Sequence, residues 1–350
     1  MTTLICTVAD GVAVATLNRP GALNAIDLDL IDALHRQLRL WERDRSVRAV
    51  VVRGAGTRAF CAGGDVRAVY EHRGDDAFMD AVYRREYVLD DAIHRYPKPY
   101  VALMSGIVMG GGCGISVHGK HRIVTETTVL AMPECRIGLF PDVAGSYFLA
   151  RCPDHAGMYM GLTGLRIGGG DAVRLGLADH YVPSARLDEL IAGLRATADV
   201  ESAVAPLRAA LPASALPPAA DMRAIFGRPS VAEIMQALKR ETAGWAADAL
   251  TAMETACPFS LELTFRAIRE GAGKTMRDCL VTDFRIAQRI MKMGDYFEGV
   301  RALIIDKDNA PRWNPAHLDD VRQGDVDACF APLANELTFP DDRRPEPSVV

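Results

Sequence analysis

Two acidic residues, Glu134 and Asp142, lie in the otherwise apolar stretch 131–147, with a single basic residue between them. Each follows a proline, Pro133 or Pro141, whose ring fixes φ and removes an N–H just before the acid. A carboxyl group in apolar surroundings resists ionisation and becomes a candidate general acid or base. The alternative is structural, because the same two side chains could cap helices or form salt bridges.

The spacing of the two acids requires a bend if they are to act together. Fully extended, residues eight apart would lie roughly 26 Å from each other, too far to share a small substrate. Gly138 and Pro141 stand between the acids and offer the means to turn the chain back. We therefore expect a tight turn that brings Glu134 and Asp142 to one place.

Two glycine loops form a second candidate for chemistry: Gly63-Gly64 and the run 110–112, each after a predicted strand. Glycine permits a positive φ and close approach of the backbone to a ligand. Two converging backbone N–H groups would make an oxyanion hole for a carbonyl or thioester oxygen. The structural alternative is a pair of tight turns with close strand–helix packing. The second loop is not a dinucleotide-binding fingerprint, because Val117 stands where that motif needs glycine.

Other chemistries find little support in the residue pattern. His118 and His121 are three residues apart with no third ligand nearby, so we predict no metal site. No serine lies in a Gly-x-Ser-x-Gly motif, which argues against a serine triad. The formal net charge of −5 and the lack of a basic run argue against nucleic acid or an anionic membrane as the partner.

Composition predicts an ordinary globular protein. The 350 residues are 49% hydrophobic and 24% charged. The eight cysteines are scattered with no Cys-x-x-Cys pair, which fits reduced thiols in a cytoplasmic enzyme. Residues 100–117 are uncharged and long enough to raise a membrane span, but they hold five glycines. A buried strand followed by a glycine turn explains that stretch better.

The order of predicted elements indicates a layered α/β fold. Asp10-Gly11 predicts a hairpin turn, and Asp27 predicts the N-cap of a helix with an apolar face. Residues 201–221 are rich in Ala and Pro and are predicted to be a loop or lid, whereas helical patterns dominate from 230 onward. We expect strands at 4–8, 12–17, 49–53, 100–104, 121–124, 128–131 and 178–182, and helices at 65–70, 83–95 and 171–177.

Three motifs resemble the crotonase (enoyl-CoA hydratase/isomerase) superfamily: Phe-Cys-Ala-Gly-Gly-Asp at 60–65, Met-Gly-Gly-Gly-Cys-Gly at 109–114 and Met-Pro-Glu at 132–134. Further segments resemble the 3-hydroxyisobutyryl-CoA hydrolase branch of that superfamily, at 116–119, 137–143, 147–149, 162–164, 298–302, 305–308 and 311–313. The resemblance implies a crotonase-like ββα spiral core over 1–195 and a helical C-terminal region over 196–350, joined by a Pro/Ala-rich connection.

The resemblance also implies a site. The backbone N–H groups of Gly64 and Gly111 would hold the thioester oxygen, with Glu134 and Asp142 as the catalytic acids. The predicted substrate-binding residues are Glu86, Ala22, Asn24 and Asp65. The implied partner is an acyl-CoA substrate; no metal or other cofactor is implied, since CoA arrives on the substrate. Related cores often trimerise, so a homo-oligomer is a further expectation.

One position separates the reactions of the superfamily. Hydratases of the superfamily typically carry a Gly-Gly-Gly-Cys-Glu motif, and Gly114 stands at the position of its glutamate. Asp142 stands where hydratases typically have glycine. This exchange of acids implies attack on the thioester carbon, as in a 3-hydroxyisobutyryl-CoA hydrolase of valine degradation. The alternatives are an enoyl-CoA hydratase or isomerase on the same scaffold, and a non-catalytic acyl-CoA-binding subunit.

Overall fold

The computed structural model of the chain describes residues 2–197 and 199–340. Ten strands occur in the described residues: β1 (Leu4–Ala9), β2 (Val12–Leu17), β3 (Ala49–Gly54), β4 (Ala59–Cys61), β5 (Tyr100–Met104), β6 (Ile107–Met109), β7 (His121–Val124), β8 (Val129–Ala131), β9 (Ile167–Gly168) and β10 (His180–Tyr181).

The strands form two sheets that are traversed alternately. The larger has the order β1-β2-β3-β5-β7-β10, and the smaller has the order β4-β6-β8-β9. The pairs β1–β2 and β8–β9 are antiparallel, and the other pairings are parallel. The chain repeatedly places one strand in each sheet and then a helix, which is the ββα spiral that the resemblance implied.

Sixteen α-helices occur in the described residues: α1 (Leu28–Arg43), α2 (Val66–Glu71), α3 (Asp76–His94), α4 (Gly111–Val117), α5 (Gly145–Leu149), α6 (Ala156–Thr163), α7 (Gly169–Arg174), α8 (Leu187–Thr197), α9 (Val200–Val204), α10 (Ala219–Phe226), α11 (Val231–Arg240), α12 (Gly244–Thr255), α13 (Pro258–Gly271), α14 (Met276–Ile290), α15 (Asp295–Val300) and α16 (Gln323–Phe330). Short 3-10 helices occur at Pro20–Ala22, Glu134–Ile137, Pro153–His155, Ser184–Arg186, Ala205–Leu207 and Leu318–Asp320, and a π-helix at Arg301–Ile305.

Local sequence explains the first elements. Asp10 and Gly11 both have positive φ, 50° and 79°, which is the backbone of the tight turn that favours Asp-Gly in hairpins. Asp27 caps α1 by accepting from Leu30 N at 2.9 Å. Helix α3 begins seven residues before the predicted start at residue 83, because Asp75 caps it by accepting from Phe78 N at 3.0 Å.

The central strands of the large sheet, β2, β3 and β5, are buried on both faces. Along β5, Tyr100, Ala102 and Met104 face one hydrophobic cluster, and Val101 and Leu103 face a second. The second cluster is completed by α8 and α9. The prediction of a loop or lid over 201–221 is therefore wrong at its start. Val204 and Leu207 are fully or almost fully buried there, because apolar side chains of this Ala-rich segment cover the sheet.

The first cluster extends from Leu4 to Leu337 and includes buried residues of both the spiral and the C-terminal helices. Helix α14 packs on α3, and α13 packs on α5 and α6. The helical C-terminal region is thus confirmed, while the division at 195/196 stays a prediction. The stretch 100–117 forms β5, β6 and α4, and no helix among residues 2–197 and 199–340 is long and apolar enough to cross a bilayer. All eight cysteines are free thiols.

Candidate active site

A cavity of about 540 Å³ lies where the two glycine loops meet the acidic stretch. Gly64, Gly111, Glu86, Glu134 and Asp142 all line it. Its remaining wall is largely apolar and includes Ile26, Val66, Val69, Phe78, Val82, Ile137, Leu139, Leu303 and Ile304. A pocket of this size, with a few polar groups in an apolar wall, is typical of a small-molecule site.

The expected bend between the acids is confirmed. Residues Glu134–Ile137 form a 3-10 turn that ends at Gly138 in the left-handed conformation, with φ of 72°. Glu134 and Asp142 are each only 5% exposed and both reach the cavity. Neither side chain caps a helix, and among the described residues neither forms an ion pair. The structural alternative for the two acids is therefore wrong.

The two candidate oxyanion amides lie side by side. Gly111 is the first residue of α4, and a Cβ placed on it would lie 3.4 Å from Gly64 N. Within the part of the chain that the structure describes, neither N–H donates a hydrogen bond to another backbone group. Two free, neighbouring N–H groups at the wall of an apolar cavity can bind an oxygen that gains negative charge.

Two carboxyls close over the second glycine loop. A Cβ on Gly111 would overlap Glu86 Oε1, and a Cβ on Gly110 would lie 2.8 Å from Glu134 Oε1. Gly110 also has a positive φ of 50°. Glycine is required at both positions because side chains there would displace the acids from the amides.

Asp142 accepts a hydrogen bond from a buried tyrosine. Tyr87 Oη, on α3, donates to Asp142 Oδ2 at 2.8 Å. The backbone after Asp142 is strained, because Val143 and Ala144 both have positive φ, 51° and 56°. Such conformations cost about 1–3 kcal/mol each and persist only where the surroundings hold them. Here Ala144 N donates to Asp283 Oδ2 at 2.8 Å, so α14 helps to hold Asp142 in place.

Burial shifts the acids of this region toward their neutral forms. It raises the pKa of Glu86, Glu134 and Asp283 well above the usual range, with a further increase from the charge of Asp142. Burial likewise raises the pKa of Asp90, with Glu86 as its main charged neighbour. The pKa of Asp142 rises only to about 6, since the hydrogen bond from Tyr87 opposes the effect of burial.

The space beside Gly114 is filled. A Cβ on Gly114 would lie 2.8 Å from Asp90 Oδ1 and 2.9 Å from Val143 Cβ. Asp90 is fully buried, and neither of its carboxyl oxygens has a hydrogen-bond partner among the described residues. The first of the two glutamates that the resemblance implies for hydratases is missing from the sequence, and the packing around Gly114 also leaves no room for it.

This packing predicts the outcome of restoring the hydratase residue. Gly114→Glu should lower the free energy of unfolding by about 1–3 kcal/mol, through overpacking against Asp90 and Val143, and should not confer hydration of crotonyl-CoA. Denaturant unfolding and the absorbance of crotonyl-CoA measure the two effects. Gly244→Glu is the control, because a Cβ there meets no atom within 4 Å. A Gly114→Glu protein of normal stability that hydrates crotonyl-CoA would contradict the prediction.

Two of the predicted substrate-binding residues, Asp65 and Asn24, have structural contacts within the protein. Asp65 lines the cavity, but its carboxylate caps α2 and pairs with Arg19 Nη2 at 2.7 Å. Asn24 is buried outside the cavity lining and donates to Ala59 O at 2.8 Å. Ala22 is exposed and also lies outside the lining. Their contact with substrate stays a prediction.

The structure adds residues that the motifs did not indicate: Tyr87, Asp90, Asp283 and Tyr296. Tyr296, on α15, brings the C-terminal region into the cavity wall. Tyr87, Asp90 and Asp283 lie behind the wall, around the Asp142 turn. The one signal for Asp90 in the sequence is its position four residues after Glu86, which places both acids on one face of a helix with apolar residues between them.

Comparison with known proteins agrees with this geometry. Residues 12–330 match the family model described as enoyl-CoA hydratase/isomerase. The chain is 42% identical over 337 residues to a protein of Gallus gallus named "3-hydroxyisobutyryl-CoA hydrolase, mitochondrial", covering 93% of this chain and 88% of that protein. The Homo sapiens protein of the same name is 38% identical over 342 residues, with the same coverage of 93% and 88%.

Two solved structures share the whole fold. One, titled as a carnitinyl-CoA dehydratase from Mycobacterium thermoresistibile, has a TM-score of 0.93 and 40% identity over 98% of this chain and 100% of that one. Another, titled as an enoyl-CoA hydratase from Rhodobacter sphaeroides, has a TM-score of 0.88 and 39% identity over 96% and 100%. The chain belongs to the enoyl-CoA hydratase/isomerase family.

Proposed function

We propose that the protein hydrolyses the thioester of a short 3-hydroxyacyl-CoA, with 3-hydroxyisobutyryl-CoA as the substrate. The observation that carries this proposal is the position of Asp142, which lines the same cavity as Glu134 and the two oxyanion amides. At Gly114 the neighbouring side chains leave no space for a glutamate. The names of the curated relatives support the same reaction and acyl group. Valine degradation is the corresponding metabolic role.

In the proposed reaction, the thioester oxygen accepts hydrogen bonds from the N–H groups of Gly64 and Gly111. The carbonyl oxygen gains negative charge as the carbon is attacked, so these bonds strengthen in the transition state. One such donor is typically worth on the order of 10²–10³ in rate. The wall of the cavity is largely apolar, and electrostatic interactions are stronger in such surroundings than in bulk water.

Glu134 acts on the thioester carbon in one of two ways. As a general base it removes a proton from water, whose oxygen then bonds to the carbon; as a nucleophile it forms an acyl-enzyme anhydride that water opens. In both routes the carbon–sulfur bond breaks, the thiolate takes up a proton, and free CoA and the 3-hydroxy acid leave. Asp142 holds the 3-hydroxyl group or assists proton transfer to the thiolate.

A second candidate function is hydration of an enoyl-CoA on the same scaffold. The titles of the two solved structures favour it, as do the shared glycine loops. Hydratases of this family are expected to use a glutamate at the position of Gly114, however. The contacts of Asp90 and Val143 with that position count against it.

Several further features belong to the proposal. Hydrolysis transfers no electrons, and CoA arrives on the substrate, so no other cofactor is assigned. Arg136 and Arg166 line the cavity, are exposed and form no ion pair among the described residues, which makes them candidates for the CoA phosphates.

The curated relatives above carry "mitochondrial" in their names. For this chain the free thiols support only a reducing compartment, with the cytoplasm as our proposal, and oligomerisation is also proposed.

A thiol-release screen tests the function. We expect turnover of 3-hydroxyisobutyryl-CoA to exceed that of isobutyryl-CoA, because the second compound lacks the hydroxyl that Asp142 would hold. Crotonyl-CoA absorbance in the same preparation measures the hydratase alternative. Faster loss of crotonyl-CoA than release of any thiol would contradict the proposal. Lack of turnover with every compound would indicate a non-catalytic acyl-CoA-binding subunit.

A further inference from the structure

Tyr87 is a buried residue that the proposed reaction does not use directly. It is 0% exposed, is not part of the cavity lining and packs in the main hydrophobic cluster. Its hydroxyl donates to Asp142 Oδ2 at 2.8 Å. Burial raises the pKa of Tyr87 well above its usual value, so the hydroxyl stays a donor over the working pH range. Tyr87 can therefore act on the reaction only through Asp142.

The hydrogen bond distinguishes Asp142 from the other acids of the cavity. Among the described residues, neither Glu86 nor Glu134 accepts a side-chain hydrogen bond, and Glu134 Oε2 has no partner at all. A donor to the charged form of an acid favours that form. The other titratable groups that face Asp142 are Tyr83, Glu86 and Asp90 on α3, Glu134 on its 3-10 turn, Asp283 on α14 and Tyr296 on α15.

None of these facing groups is a cation, and the two arginines that line the same cavity, Arg136 and Arg166, are exposed. Mutual repulsion therefore disfavours more than one or two charges in the cluster, as in pairs of neighbouring carboxyls elsewhere. Burial raises the pKa of each of these acids, and the hydrogen bonds that each one receives then help to decide which acid ionises first. The donor at Tyr87 thus favours the negative charge at Asp142.

We propose that Tyr87 is a positioning residue that stabilises the negative charge of Asp142 in the empty cavity and holds the carboxylate in one orientation. This charge stabilisation is a property of the folded protein alone. Its effect on turnover rests on the proposed thioester hydrolysis.

The charge stabilisation predicts the effect of Tyr87→Phe on the ionisation of Asp142. Loss of the donor should raise the pKa of Asp142 by about one unit or more, since hydrogen bonds to charged groups are among the strong ones. The sign follows because the substitution removes a stabiliser of the carboxylate and leaves the neutral acid unaffected. NMR of protein labelled with ¹³C at the aspartate carboxyls measures the pH midpoint at which Asp142 ionises. The Asp142 resonance is assigned as the one that disappears in the Asp142→Asn variant.

Kinetics give a second, independent measurement. Where Asp142 binds the 3-hydroxyl as a carboxylate, its ionisation contributes to the acidic limb of the kcat/KM profile for 3-hydroxyisobutyryl-CoA. Tyr87→Phe should then move that contribution to higher pH, with activity recovering toward the wild-type value above the limb. Tyr96→Phe is the matched control, because its buried hydroxyl donates to Leu38 O at 2.9 Å, away from the cavity. Tyr96→Phe should change neither the pH midpoint of Asp142 ionisation nor the acidic limb of the kcat/KM profile.

A double variant separates positioning from general damage. Adding Tyr87→Phe to Asp142→Asn should change kcat/KM less than about two-fold, because the target of the hydroxyl is already gone. An unchanged Asp142 midpoint in Tyr87→Phe would overturn the proposal, as would a uniform loss of activity at every pH. If the wild-type protein turns over no acyl-CoA, the proposed function fails, and the NMR midpoint alone still decides the role of Tyr87.

Discussion

Glu134→Gln is expected to lower kcat for thioester hydrolysis by about 10³-fold or more while leaving the fold intact. Removal of a general base alone typically costs 10²–10⁴ in rate, and loss of a nucleophile costs at least as much. The amide has nearly the shape of the carboxyl, and Glu134 Oε2 has no hydrogen-bond partner among the described residues that the change would disrupt. Thiol release and denaturant unfolding measure the two halves of this prediction.

The control for this variant is Glu262→Gln on α13. Glu262 is a partly buried acid whose pKa burial also raises, but it lies outside the cavity lining. Its loss of charge should not alter thiol release. If Glu134→Gln hydrolysed the substrate at close to the wild-type rate, the proposed mechanism would have to be abandoned.

Gly111→Ala is expected to lower kcat/KM by on the order of 10²–10³, the effect of losing one oxyanion donor. The N–H itself remains, so the loss has a steric cause. The added methyl group would overlap Glu86 Oε1 and lie 2.8 Å from Ile26 Cδ1, which forces the amide or the acid to move. Overpacking of this kind should also cost about 1–3 kcal/mol of stability. Steady-state thiol release and thermal unfolding provide the measurements.

Two further glycines test the steric explanation. A Cβ on Gly64 meets no atom within 4 Å, so Gly64→Ala should reduce kcat/KM less than Gly111→Ala does, although both change an oxyanion amide. A Cβ on Gly168, outside the cavity, is equally free, and Gly168→Ala should behave as wild type. Equal losses from Gly64→Ala and Gly111→Ala would show that contact with Glu86 is not the cause.

Local patterns in the sequence were sufficient to predict a layered α/β fold and two candidate stretches for chemistry, while the spiral was implied by the family resemblance. The Asp10-Gly11 turn, the Asp27 cap and the apolar strands depend on interactions within a few residues, which composition and spacing encode directly. The family motifs at 60–65, 109–114 and 132–134 all converge on the cavity. The bend at Gly138 was predicted for the same reason, since glycine accepts the left-handed backbone there.

Other features were decided only by tertiary packing. The Ala- and Pro-rich composition of 201–221 indicated a loop, yet Val204 and Leu207 cover the sheet, because burial depends on what lies opposite a segment. Helix α3 likewise begins earlier than predicted, because Asp75 caps it. The apolar pattern of the helix did not indicate this cap. The side chain of Asn24 donates to Ala55 O and to Ala59 O of strand β4, partners that are more than 30 residues away in the chain, and its contact with substrate stays a prediction.

The sequence by itself determined which acids this protein has at its reactive centre: Glu134 and Asp142 are present, and position 114 is a glycine. Only the tertiary structure decided how those acids behave. Tyr87 is 55 residues from Asp142 in the chain, and Asp90 reaches Gly114 from a different helix. The pKa of a buried carboxyl depends on distance, burial and donors in space, and these quantities exist only once the helices have packed.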